Sequence, residues 1–205
     1  MKFVRPALAV ALGAGLLLAG SAGAATKPVC NLVKDDAGDG QGLASKDNGL
    51  DILSADISSN SKFVTVQIRL AGAPTKPGST AAPEGSAYYF LFNAPGATNV
   101  VYLATQIGLT GTTYSMGDVE GSINTDKTGV VSGHIDGNNI TMTVERGVFA
   151  SLADIKPGVK ITNLAVESKV PVQVPGVGGL LEAADDAAGS KSYTAGAASC
   201  LKAGA

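Results

Sequence analysis

Asp35, Asp36 and Asp39 lie close together in a stretch broken by Gly38 and Gly40. Closely spaced carboxylates on a turn-forming segment suit a hard cation, which needs several oxygens to converge. Asp51 adds an argument from phase. Leu53, Ala55 and Ile57 share what reads as the core face of a strand, and Asp51 is in register with them. A carboxylate pointing inward needs a cation or several N–H donors. The segment is not an EF-hand loop, since counting from Asp35 puts Ala37 at the third ligand position and Lys46 at the twelfth. The competing reading is of solvated turn residues, with Asp51 at a strand start outside the core.

Catalytic chemistry has few residues to work with. The chain has one His, His134, and two Cys, Cys30 and Cys200. If the two thiols pair, no Cys–His nucleophile remains, and one His cannot make a multi-histidine metal site. No Gly-x-Ser-x-Gly elbow, phosphate loop or dinucleotide fingerprint occurs. The expectation is a protein that is not an enzyme.

The compartment follows from the first 25 residues. Lys2 and Arg5 precede an uncharged run over 7–19, and Ala22-Gly23-Ala24 offers a small-x-small cleavage site. The run is too short for a membrane span, which takes roughly 20 apolar residues. Residues 1–25 are therefore read as a signal peptide and 26–205 as a single secreted domain. In an oxidising compartment Cys30 and Cys200 are expected to form a disulfide; free or intermolecular thiols are the alternative. The chain has 15 Lys and Arg against 17 Asp and Glu. Losing Lys2 and Arg5 leaves a net charge of about −4, with no basic cluster, which argues against nucleic acid or a membrane surface as partner.

The elements that must position these residues are strands. Val64, Val66, Ile68 and Leu70 alternate with Phe63, Thr65, Gln67 and Arg69. Ile140, Met142 and Val144 line a second strand, and Asp136-Gly137-Asn138-Asn139 before it marks a hairpin between 130–139 and 140–145. Further strands are expected at 30–33, 50–58, 87–93, 99–106, 114–119, 160–168 and 192–200, with one helical turn at 147–155. Three loops remain: the acidic 35–48, a proline-rich 71–86 expected to project, and an apolar, breaker-rich 171–181 that either packs along the domain or docks a partner. The fold class is all-β: an antiparallel jelly-roll-like β-sandwich of about ten strands. If Cys30 pairs with Cys200 and the terminal strands run antiparallel, residues before Tyr193 reach the acidic loop's end, bringing in Asp185 and Asp186.

The motif order then carries a resemblance. Asp35-Asp36-Ala37-Gly38-Asp39 leads to Leu50-Asp51-Ile52-Leu53-Ser54-Ala55-Asp56, then to Val64-Thr65-Val66-Gln67-Ile68. Later, Ile140-Thr141-Met142-Thr143-Val144 precedes Lys156-Pro157-Gly158. This resembles the DOMON-like superfamily of jelly-roll sandwiches, including the family-nine carbohydrate-binding modules and stretches of secreted actinobacterial proteins. The resemblance implies a structural calcium at the acidic segment, with Asp35, Asp36, Asp39, Asp51, Asp185 and Asp186 as candidate ligands. It also implies a sugar platform, for which Tyr88, Tyr89, Tyr102 and Tyr114 are the candidates. The absence of Trp weakens that implication, and such residues more commonly fill a core. Some relatives hold haem through Met and His. Here His134 is in phase with polar Ser132 and Asp136, and Met142 with apolar Ile140 and Val144, while Met116 is the other candidate; no haem is expected. The function expected is non-catalytic binding of an extracellular ligand or partner, protein or glycan. A glycan- or cell-wall carbohydrate-binding module is the alternative, and an accessory domain of a hydrolase or a cryptic enzyme the third reading.

Overall fold

The computed structural model describes residues 28–120, 123–128, 130–174 and 178–204, so the expected leader over 1–25 lies outside the described residues. Among the described residues, no helix is long and apolar enough to cross a membrane.

The period-two segments form two antiparallel sheets packed as a sandwich. The first sheet has the order β1 (Val33–Lys34), β2 (Ile52–Ser59), β3 (Phe63–Leu70), β9 (Asn139–Glu145), β8 (Val131–Asp136). The second has the order β11 (Gly178–Ala188), β10 (Lys160–Val174), β4 (Gly85–Asn93), β5 (Val100–Gly108), β6 (Gly111–Glu120), β7 (Ile123–Thr128), with β12 (Tyr193–Thr194) beside β10. Most neighbours in each sheet are consecutive in the chain. The pairs β3 with β9, β4 with β10 and β10 with β12 are not, and the first two knit the chain's two halves into both sheets.

Alternation decides which side chains enter the core. Val64, Val66, Ile68 and Leu70 face Ile140, Met142 and Val144 across the β3–β9 ladder, and all are buried. Tyr88, Phe90 and Phe92 of β4 join them from the other sheet in one continuous cluster. Each such aliphatic or aromatic side chain contributes about 1.5–3 kcal/mol on burial. Phe92 stacks on Phe149 of α1 (Arg146–Phe149), the short helix that forms within the expected turn.

Several expectations meet corrections. A β-bulge between Ile52 and Ser54 shifts the phase of β2, so Ile52 is buried where alternation had placed Leu53. The segment 171–181 is not a loop. β10 runs on to Val174 and pairs with β11 in a long hairpin. Pro171 is tolerated because β10 pairs with β4 only as far as Lys169, so beyond it one side of the strand needs no N–H donor. Nor does the segment 71–86 project. Pro74, Thr75, Ala81 and Ala82 are buried, and Thr75 is tied to Tyr88 and Ser86.

The terminal segments also differ from expectation. Cys30 and Cys200 are bonded, with Cα atoms 5.2 Å apart. Beside them Val29 and Ser199 form a parallel bridge, and β12 pairs with β10 and not with the N-terminal segment. The expected antiparallel pairing of the ends is absent.

Candidate functional site

The acidic segment lies along an edge of the sandwich where the two sheets approach. Asp35 directly follows β1, and its N–H donates to Leu53 O at 3.1 Å. The loop then runs past β11, where Gln41 N donates to Ala184 O at 2.7 Å. The approach of β11 to β1 is close enough to require a glycine: a Cβ on Gly189 would stand 2.6 Å from Leu32 O. Asp185 faces inward from β11, opposite Ser168, and is 4 % exposed. Asp51 sits just before β2 and is 5 % exposed.

These placements bring Asp35, Asp39 and Asp185 together. One carboxylate oxygen from each lies within 4.8 Å of the others. A side-chain adjustment of a few tenths of an ångström is enough to let all three reach one ion at the roughly 2.3–2.6 Å distance of calcium to oxygen. Their other contacts fix the carboxylates in place. Asp185 accepts from Ile52 N at 2.7 Å and from Asp186 N at 2.9 Å. Asp51 Oδ2 accepts from Gly38 N at 2.7 Å, and Gly38 takes the left-handed conformation, with φ of 85°, that turns the loop around it.

The electrostatic balance is incomplete. Asp35 Oδ2 and Asp51 Oδ1 are buried and have no hydrogen-bond partner. Among the described residues the ion pairs are Lys156–Asp154 and Lys169–Glu167, so no Lys or Arg neutralises this cluster. Burial, then the charges of Asp185 and Asp39, push the Asp35 carboxyl up to about 6. Burial likewise raises Asp185, with the Asp39 and Asp51 charges adding to it. A carboxylate so placed takes up either a proton or a cation.

Three of the six expected ligands lie outside this set: Asp51 is buried beside it, and Asp36 and Asp186 are turned away. Asp36 and Asp186 are exposed, and Asp186 points to the opposite face of β11 from Asp185. The cluster is also assembled by a different route from the one expected. Cys30 lies beside the Ile57 end of β2 and Asp35 beside Leu53, so the disulfide and the acidic cluster sit at different ends of β2. The packing of β11 against β1 delivers Asp185.

The four tyrosines do not make an open face. Tyr88 lies between the sheets, its hydroxyl donating to Gly49 O at 2.6 Å and accepting from Thr75 N at 3.0 Å, and burial raises it to about 12. Tyr89 and Tyr102 are buried together on the other side of the β4–β5 ladder, edge to face at 5.6 Å, with Lys169 Nζ 5.2 Å above the Tyr89 ring. Tyr114 points inward from β6 and packs against Gly133, where a Cβ would collide with its ring. His134 is exposed on the outer side of β8, while Met116 and Met142 are buried in the core.

A second polar feature escaped the sequence reading. A cleft of about 200 Å³ opens on the outer side of the first sheet, lined by Asn31, Ser54, Asp56, Gln67, Arg69, Asn138 and Asn139 with Ala55. Asn31 takes a left-handed φ of 48°. Alternation in β2 and β3 marks four of these residues as outward, but only the tertiary fold adds Asn31 and the β8–β9 turn.

No protein-family model matches the chain, and neither a curated protein nor a solved structure does.

Proposed function

We propose that this chain is an exported, non-catalytic β-sandwich that binds an extracellular ligand or partner and is braced by calcium at Asp35, Asp39 and Asp185. One observation carries the metal: two carboxylates of the loop after β1 and one from β11 converge with no basic partner, and Asp35 Oδ2 and the neighbouring Asp51 Oδ1 are buried with nothing to satisfy them. Calcium suits the set better than magnesium, because a loop and a strand supply irregularly placed ligands and magnesium demands near-ideal octahedral geometry. Asp51 stands close enough to raise both Asp35 and Asp185, and water would complete the shell. The likeness to DOMON-like sandwiches agrees with this brace. Export is supported by the N-terminal pattern and is compatible with the disulfide. Against catalysis stand the bonded cysteines and a lone, outward His134.

The test is thermal unfolding with excess calcium and with chelator. At a hundredfold excess over Kd, binding adds about 2.7 kcal/mol, or a Tm rise of about 5–10 °C for a domain of this size. Asp185→Asn should abolish the rise. Identical curves in calcium and chelator would sink the metal reading.

A further inference from the structure

We infer that the polar cleft on the outer side of the first sheet binds a small polyhydroxylated carboxylate, with the guanidinium of Arg69 holding the carboxylate. The cleft's floor is the outward row of β2 and β3, where Ser54 pairs with Arg69 and Asp56 with Gln67. One wall is Asn31, next to the disulfide. The other is the β8–β9 turn, where Asn138 and Leu70 are joined twice: Leu70 N donates to Asn138 O at 2.9 Å and Asn138 Nδ2 to Leu70 O at 2.7 Å. The Phe63 half of the outer side of β3 is covered. Gly204 N donates to Thr65 Oγ1 at 2.9 Å, and a Cβ on Gly204 would stand 2.8 Å from the Phe63 ring, so the C-terminal segment lies across that half. Thr65 and Thr143 share a 3.0 Å hydrogen bond beneath it. Gln67 and Arg69 are left uncovered.

The chemistry of the lining selects the ligand. Arg69 is exposed and has no ion pair among the described residues. Its planar fork matches a carboxylate with two parallel hydrogen bonds. Asp56 lies on the other side of the floor, accepts from Leu32 N at 3.1 Å, and offers its remaining acceptor sites to ligand hydroxyls. Gln67 donates to Thr141 Oγ1 at 3.2 Å, leaving its carbonyl oxygen to accept as well. Asn138 Nδ2 is taken by Leu70 O and Asn139 Nδ2 by Asp136 O and Asn138 Oδ1, so the rim offers mainly amide oxygens, with the Asn31 amide able both to donate and to accept as hydroxyl groups do. A zwitterion would satisfy Arg69 and Asp56 but would leave the amides unused. The lining holds almost no apolar surface for a fatty or aromatic ligand. The walls are fixed by backbone hydrogen bonds and the neighbouring disulfide, so little ordering is needed on binding.

This inference rests on the reading of the protein as a ligand binder and not on the metal; calcium-dependent melting would survive its failure. The experiment is NMR titration of the purified, oxidised protein with glucuronate, glucose, acetate, glycine and a short oligogalacturonate. Glucuronate should shift the amides of Asn31, Gln67, Arg69 and Asn139 saturably. Glucose and acetate should each bind at least about tenfold more weakly, because each supplies half of the contacts. Arg69→Gln should weaken glucuronate by about tenfold or more, and Arg69→Lys by less, both with unchanged Tm. Tighter binding of the oligomer would identify an acidic polymer as the source, and equal binding a free solute. Acetate or glycine binding as well as glucuronate, the absence of saturable shifts, or an unaffected Arg69→Gln would overturn the inference.

Discussion

The two ends of β2 are finished in opposite ways. At the Ser59 end the polar groups are joined to one another. The Tyr193 hydroxyl accepts from Ser59 N at 2.9 Å and donates to Ala197 O at 3.2 Å, Gly196 N donates to Ser59 Oγ, and Ser199 Oγ donates to Ile57 O. Asn60 Oδ1 accepts from Lys62 N and Phe63 N, and the disulfide lies alongside. At the Ile52 end, Asp35, Asp39, Asp51 and Asp185 gather without a counter-charge among the described residues, and two of their oxygens are buried unpartnered. The chain closes one end with its own bonds. At the other it leaves a charge that only a proton or a cation can balance.

The largest test of this contrast is removal of the disulfide. The bond closes a loop across 170 residues, and the chain-entropy model gives about 5 kcal/mol for such a loop. The Cys30→Ser, Cys200→Ser double variant should melt about 10–20 °C lower by calorimetry. Its calcium increment should persist, because the acidic cluster is assembled by β11 and not by the bond. Loss of the increment along with the disulfide would show that the two ends are one unit.

A smaller effect separates satisfied from unsatisfied groups near the acidic end. Tyr88 reaches both Gly49 O and Thr75 N with its hydroxyl, two residues from Asp51 in the chain. Tyr88→Phe keeps the ring and strands both backbone groups in a buried site, at about 2–3 kcal/mol. Urea unfolding should show a lower midpoint with an unchanged slope. An unchanged midpoint would mean that water replaces the hydroxyl and that this part of the molecule is looser than its packing indicates.

The contrast also explains what could be read from the sequence. Alternation locates β3 and β9 because each carries one apolar face, and the Gly137 turn marks the β8–β9 hairpin; Gly137 has φ of 57° at the first turn position, as a tight hairpin requires. Local carboxylate spacing pointed to Asp35 and Asp39. Asp185 was reached through a wrong pairing of the chain ends, because the approach of β11 to β1 depends on packing at Gly189 that no local pattern encodes. The bulge at Leu53 broke the phase argument for Asp51, yet Asp51 is buried, with Gly38 N as its donor. β11 is masked in the sequence by Pro171 and the surrounding glycines, which read as breakers although β10 beyond Lys169 is paired on one side only. The tyrosines carry no local mark of which side of a central strand they occupy. Tyr88 and Tyr89 are adjacent, and they point to opposite sides.

The smallest effect is the pH dependence of the unsatisfied end, and its sign is specific. The Asp35 carboxyl lies at about 6 in the folded protein, against 3.8 for the unperturbed group, because burial and neighbouring carboxylates oppose its charge. The folded state therefore holds this proton more tightly than the unfolded state. The resulting stabilisation is complete below about 3.8 and is lost as pH rises through about 6. Asp185 is raised too and acts in the same sense. In chelator, the contribution of this end to the melting temperature should fall between pH 5 and pH 7.5. Calcium needs the deprotonated carboxylates, so its increment should grow over the same window. Asp35→Asn separates this end from the other titrating groups. At pH 7.5 without metal the variant should melt above the native protein, because it removes a buried charge that nothing balances, and it should gain little from calcium. Below about pH 3.8 the two should nearly coincide, and at pH 5 about half of the gap should already be open. A variant less stable than the native protein at pH 7.5 in chelator would mean that the Asp35 charge is already balanced, and the contrast between the two ends of β2 would fail at its central point.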